Sequence, residues 1–315
     1  MNMNRALIMI SLVALAGCGG NWSNSDLVFA NALPRTDDLK ANLPAESTSQ
    51  PLLGVANRRD GLMLGDPSVS WNLTKNAAKD FNNSLLLVLG IVDQVRKVAP
   101  TSRTTNSRTW GPFADSNNPG RELQVVIERV DEKNFAWRVQ SRPNNGEFIN
   151  VLEGNFLANE TTTARLGQGS IRIPVKDFRD SVKLDLNFSA LDEIRVTYIT
   201  DVWPRRVDMD FDIKPGAITG LSALGYTGML REDGSGSIRF LYATTKPEAE
   251  EVEITTGWKP SGEGRGFGIV RKGTSVGANV TECWGRGFTI SYYAESWAGG
   301  TTLGAAGDCV ALEGF

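Results

Sequence analysis

The sequence predicts a mainly β protein, an antiparallel meander closed as a barrel, half-barrel or sandwich and packed on one long N-terminal helix. Three observations predict it. From Arg121 onward, apolar residues recur at every second position, the period of a half-buried strand. Turn signals interrupt the alternating runs at short intervals. Between Pro67 and Val98 the apolar period is helical instead.

The first element is a leader. Arg5 precedes an apolar run from Ala6 to Ala16. A bilayer-spanning helix needs about twenty residues, so the run is too short to be one. It fits the apolar region of a secretory signal. The run ends in Leu15-Ala16-Gly17-Cys18, and these four residues resemble the lipobox of bacterial lipoproteins. The resemblance implies cleavage after residue 17 and acylation of Cys18 with fatty chains such as palmitate. The membrane is then a partner through the lipid. Gly19 rather than Asp at the next position implies the outer membrane, on its periplasmic face or at the cell surface. Each buried methylene contributes about 0.8 kcal/mol, so two or three chains hold firmly where one is marginal.

Residues 18–50 follow as a tether. They are rich in Asn, Ser, Asp, Ala and Pro, and their apolar residues lack a steady period. A single β-rich domain is expected over 51–315, with its helix at about 67–98. Asp66-Pro67 reads as an N-cap followed by proline in the first turn. Phe81, Leu85, Val88, Leu89, Val92 and Val95 share one helical side. Leu86, Leu87 and Ile91 fill the other, so the middle turns are predicted to be buried on more than one face. Pro100 ends the helix.

The strands come next. Leu123, Val125 and Ile127 share a side, as do Phe135, Trp137 and Val139, then Ile171, Ile173 and Val175. Val182, Leu184, Leu186 and Phe188 read as another strand. Val207, Met209, Phe211 and Ile213 face away from Asp208, Asp210 and Asp212. Ile238, Phe240 and Tyr242 follow, then Val252 and Ile254. "DEKN", "PNNGE", "EDGSGS" and "KPSGEG" supply turns, the second through Asn145-Gly146, a pair that tolerates positive φ. About ten short strands joined this way form a meander.

Such a sheet has one apolar face that must be covered. A helix of about thirty residues is about 45 Å long and about 10 Å wide, while each strand adds about 4.8 Å of width. One helix cannot cover ten strands. Either the sheet curls on itself or an apolar ligand fills the gap. Leu85, Leu89, Val92, Phe135 and Trp137 are the expected lining of such a site. In outline, an N-terminal helix before a curved sheet is similar to periplasmic lipoprotein carriers and lipid-binding lipoproteins of the LolA/LolB type, which implies an apolar ligand.

Composition narrows the chemistry. The chain has no histidine and so lacks the commonest general base and metal ligand. Its net charge is −3 with both signs interspersed, which suggests no basic face for nucleic acid. Cys283 and Cys309, 26 positions apart, are expected to form a disulfide in an oxidising compartment. Alternate strand side chains stand nearly 7 Å apart, too far for Asp208, Asp210 and Asp212 to hold one calcium ion. Arg195, Lys183 and Arg239 are their expected ion-pair partners. The glycines of "GEGRGFG" mark a bend or close packing rather than a nucleotide loop, and Thr274 stands where a phosphate loop needs lysine. The tryptophans at 110, 137, 203, 258, 284 and 297 suggest core, or sugar stacking. No catalytic residue, metal or cofactor is indicated. The reading is a non-catalytic, lipid-anchored envelope protein that binds a lipid or other apolar ligand between helix and sheet. Its alternatives are a dry-cored module that contacts another envelope protein and, third, a carbohydrate-binding protein or glycosidase.

Overall fold

The alternation does build strands, and they pair in the order in which they occur. A computed structural model describes residues 22–44, 62–116, 118–182, 191–213, 225–243 and 250–312. Among them, fifteen strands follow one another as an open antiparallel meander. They are β1 (Ser102–Arg103), β2 (Ser107–Ala114), β3 (Arg121–Arg129), β4 (Asn134–Pro143), β5 (Ile149–Ala158), β6 (Gly167–Pro174), β7 (Leu191–Ile199) and β8 (Arg205–Ile213). Then come β9 (Gly225–Leu230), β10 (Gly236–Ala243), β11 (Glu251–Trp258), β12 (Gly264–Lys272), β13 (Asn279–Trp284), β14 (Ile290–Glu295) and β15 (Thr302–Leu303). Four helices accompany them: α1 (Asn24–Asn31), α2 (Thr36–Leu39), α3 (Val69–Val95) and α4 (Val175–Val182).

The fold falls into two compact units. The first contains α1, α2, Leu85–Asp201 and therefore β1 to β7. The second contains Lys40–Ser84, Val202–Asp210 and Gly220–Phe315, with β9 to β15. This division corrects the expected long lid over 67–98. Val69–Ser84 belongs to the second unit and Leu85–Val95 to the first, so the strands of each unit share it with only part of the helix. The start also differs. Pro67 bridges to Thr289 in extended form, and the Ser68 hydroxyl accepts from the Trp71 amide as the cap. Asp66 instead closes the preceding turn by accepting from Met63.

Two further expectations are corrected. Of the stretch 18–50 read as a tether, residues 22–44 are described and carry α1 and α2. Ser23 and Asp26 form a reciprocal capping box that starts α1. Phe29, Leu33 and Leu39 are then buried, which is what holds the segment down. Val175, read as the last inward residue of a strand, begins α4 directly after Pro174. Val182 ends that helix, and Leu184, Leu186 and Phe188 lie outside the described residues.

The apolar face of each sheet is filled by one repeated device. A large aromatic ring lies across a glycine on the neighbouring strand. Trp137 is paired in register with Gly154, Gly236 with Trp258 and Gly264 with Trp284. A Cβ on Gly154 would stand 2.5 Å from the Trp137 ring. One on Gly264 would fall on the ring of Trp284 and on the Gly257 carbonyl. The alternate glycines of β12 are thus close-packing positions, and Gly266 makes room for Ser70. Indoles lying flat cover more sheet than the periodicity of aliphatic residues suggests.

In the first unit α1 is fixed by charge as well as burial. Asp26, fully buried, accepts from Arg108 Nε at 2.5 Å and Arg103 Nε at 3.1 Å. Phe29 packs edge-on to Phe135, with the Arg108 and Arg129 guanidinium groups over its ring at 4.5 and 4.8 Å. Arg96 donates to the Leu33 and Pro34 carbonyls, tying down the chain after α1. Burial pulls the Arg96 guanidinium down to about 10, against the opposing pull of Asp93.

Candidate functional site

The apolar lining predicted from the sequence lies wholly within the first unit. Leu85, Leu89 and Val92 recur at helical spacing on α3, and each is fully buried. Phe135 and Trp137 alternate inward on β4, at 1% and 2% exposure. The fold therefore gathers all five into the same unit's interior, as core. The void near them is small. A cleft of about 40 Å³ lies between the end of α3 and β2 and β3, bounded by Ile91, Val95, Phe113, Leu123 and Val125. That is well below the roughly 300–1,000 Å³ of a small-ligand pocket. None of the five predicted residues lines it. Beside it, Trp110 donates from Nε1 to the Val98 carbonyl at 2.9 Å and so fixes the chain leaving α3.

The second unit places a buried carboxylate at the start of α3. Glu282 points inward from β13 at 2% exposure. It accepts from the Ser68 hydroxyl and from the Ser70 amide, the latter at 2.9 Å. Burial pushes its carboxyl above the usual range, and these hydrogen bonds oppose the shift. Trp71 stacks on Phe288 at 4.4 Å and meets Trp284, while Phe81 meets Tyr226 edge-on. The helix is thus latched to the sheet by one acid and three ring contacts.

The acidic strip on β8 is a surface feature. Val207 and Met209 are buried while Asp210 and Asp212 are exposed, as the alternation predicts. Asp208 accepts from Arg206 at 2.6 and 2.9 Å and from Thr227 at 2.7 Å. Its cation is thus on its own strand rather than Arg195 or Arg239. Arg195 pairs with Glu193, and Lys183 lies outside the described residues. Among the described residues no three acidic or cysteine side chains converge where a metal ion would sit.

Cys283 and Cys309 form a disulfide. It ties the C-terminal segment to β13. Cys18 lies outside the described residues. No described helix is long and apolar enough to cross a membrane.

No known protein family, curated protein or solved structure matches this chain. Its function must therefore be argued from its own residues.

Two groups that matter here escaped the sequence reading. Asp26 and Arg108 form a buried ion pair across 82 positions, a distance that local pattern cannot bridge. Glu282 left a readable trace. It stands between Val280 and Trp284 on the inward parity of β13, where a lone acid requires donors.

Proposed function

We propose that this chain is a lipid-anchored, non-catalytic envelope protein whose folded part is a dry-cored structural or interaction module. It is held at the outer membrane through acylated Cys18. One observation carries the dry-core reading. Leu85, Leu89, Val92, Phe135 and Trp137, the residues best placed to line a lipid site, are sealed at 0–2% exposure, and none of them lines the cleft of about 40 Å³ near them. Aromatic rings on glycines do the covering that a ligand would otherwise do. In this reading the greasy side of the meander is closed by its own side chains, unlike a lipid-carrying half-barrel.

Native mass spectrometry of the protein purified without its acyl chains tests the core. The expected result is the bare polypeptide mass. Co-purifying lipid overturns the dry core and restores the apolar-ligand reading. Cys18→Ser tests the anchor, and the variant is expected to leave the membrane fraction. Unchanged fractionation refutes lipid anchoring.

A further inference from the structure

The first unit also carries an open, mainly polar recess. It has a volume of about 420 Å³ and opens beside the β4–β5 turn and the first turn of α4. Such a volume is within the range of small-ligand sites. Phe148, Ile149 and Pro174 form its apolar walls, and Asn150, Glu153, Arg172 and Asp177 its polar ones.

The polar groups hold one another in place. Arg172 donates from Nη1 to Glu153 at 2.7 Å and from Nε to Glu193. Asn150 donates to Glu153 at 3.2 Å and accepts from Gln140 at 2.9 Å. The guanidinium is therefore fixed in orientation before any ligand arrives, and its Nη2 amine has no acceptor among the described residues. Asp177, on the first turn of α4, is exposed and has no donor among them. Phe148 carries the Arg142 guanidinium over its ring at 4.3 Å, which holds the ring while it lines the recess.

We propose that this recess binds a sugar, a neutral pyranose whose adjacent hydroxyl groups bridge Arg172 and Asp177 while its C–H face lies on Phe148. Adjacent hydroxyls offer an acceptor and a donor side by side, which suits a guanidinium and a carboxylate that line the same recess. The aromatic and proline walls suit the apolar face of a sugar ring. Among the lining side chains Glu153 and Asp177 outnumber Arg172, so an anionic ligand is disfavoured. The site depends on neither the acyl anchor nor the dry core.

Saturation-transfer NMR on the purified chain tests it with three probes: methyl β-glucoside, methyl α-mannoside and the β-1,4-linked disaccharide of N-acetylglucosamine. The expected result is transfer to the ring protons of at least one probe, with a dissociation constant of about 1 mM. Asp177→Asn and Phe148→Ala are each expected to weaken it about tenfold. Phe148→Tyr should retain it, as should Asp131→Asn, a change to an exposed acid in the β3–β4 turn. Melting curves of the variants report that the fold is kept. Absence of transfer to all three probes overturns the proposal. So does transfer that is undiminished in either Asp177→Asn or Phe148→Ala. Lipid in the native mass spectrum would bear on the core reading and leave this result untouched.

Discussion

Replacing Asp26 with asparagine should release the N-terminal helix of the first unit. The side chain is fully buried and receives Arg108, Arg103 and the Ser23 amide. Burial alone would raise its carboxyl. The Ser23 amide and the two arginines prevail and bring it from 3.8 down to about 2. At about 1.36 kcal/mol per pH unit, that difference is about 2 kcal/mol of stability at neutral pH. Asparagine forfeits it and leaves Arg108, itself nearly buried, without its counter-charge. Breaking a buried pair costs about 3–5 kcal/mol, so the expected loss lies between about 2 and about 5 kcal/mol. The sign with pH follows from the depressed carboxyl. The contribution is fully present above about pH 4 and disappears as pH falls toward 2. Urea titration of parent and variant at pH 7, repeated from pH 5 down to 2, measures both. Hydrogen exchange over residues 22–34 separates detachment of α1 from global unfolding. A loss below about 0.5 kcal/mol, the scale of an ordinary surface change, would refute the reasoning. So would an unchanged acid limb in the variant.

Glu282→Ala should cost about 1–3 kcal/mol, because the Ser68 hydroxyl and Ser70 amide lose their buried acceptor; urea unfolding at pH 7 reads it. Glu282→Gln should flatten a pH effect of opposite sign to that of Asp26. The raised carboxyl favours the fold below about pH 4.5, and that advantage fades as pH climbs through its elevated value. Melting temperatures between pH 4 and 8 compare the two proteins. Gly264→Ala should lower stability by about 1–3 kcal/mol through collision with Trp284, with a change in the near-ultraviolet dichroism of that indole. Removing the disulfide with paired serine substitutions at Cys283 and Cys309 should cost about 3.5 kcal/mol, from the 26-residue separation that it closes, seen as a lower melting temperature.

Strand identity was legible wherever one face is greasy. The runs around Val125, Trp137, Ile171, Met209 and Phe240 all lie in strands. All four turns fall between consecutive strands, with Asn145, Gly234 and Gly262 at positive φ. The close packing read into the glycines of "GEGRGFG" is found against Trp284, Ser70 and Val280. The misses have physical causes. The β5 and β9 strands interrupt their runs with glycine, so their period is faint, whereas β7 alternates at Ile194, Val196 and Tyr198. The segment before residue 44 was masked by its polar composition, although Ser23 and Asp26 had capping spacing. The Asp26–Arg108 pair joins α1 to β2 and the Arg172 cluster joins β5, β6 and β7, and only the folded register brings them together. The walls of the recess beside α4 were not legible because Phe148 stands in the β4–β5 turn, outside any alternating run. Four of the six tryptophans considered are at 2% exposure or less.

The pairing of indole with glycine also constrains how this chain can drift over generations. Trp137 cannot shrink without opening a void, and Gly154 cannot grow without a clash. A viable change at either position therefore needs a matching change across the strand boundary, seventeen positions away in the sequence. The same lock joins Gly236 to Trp258 and Gly264 to Trp284. Homologues of this protein should carry correlated swaps at these three couples, bulky for small on one strand and small for bulky on the next. Such linked variation would reveal the strand register even in relatives too diverged to align by eye.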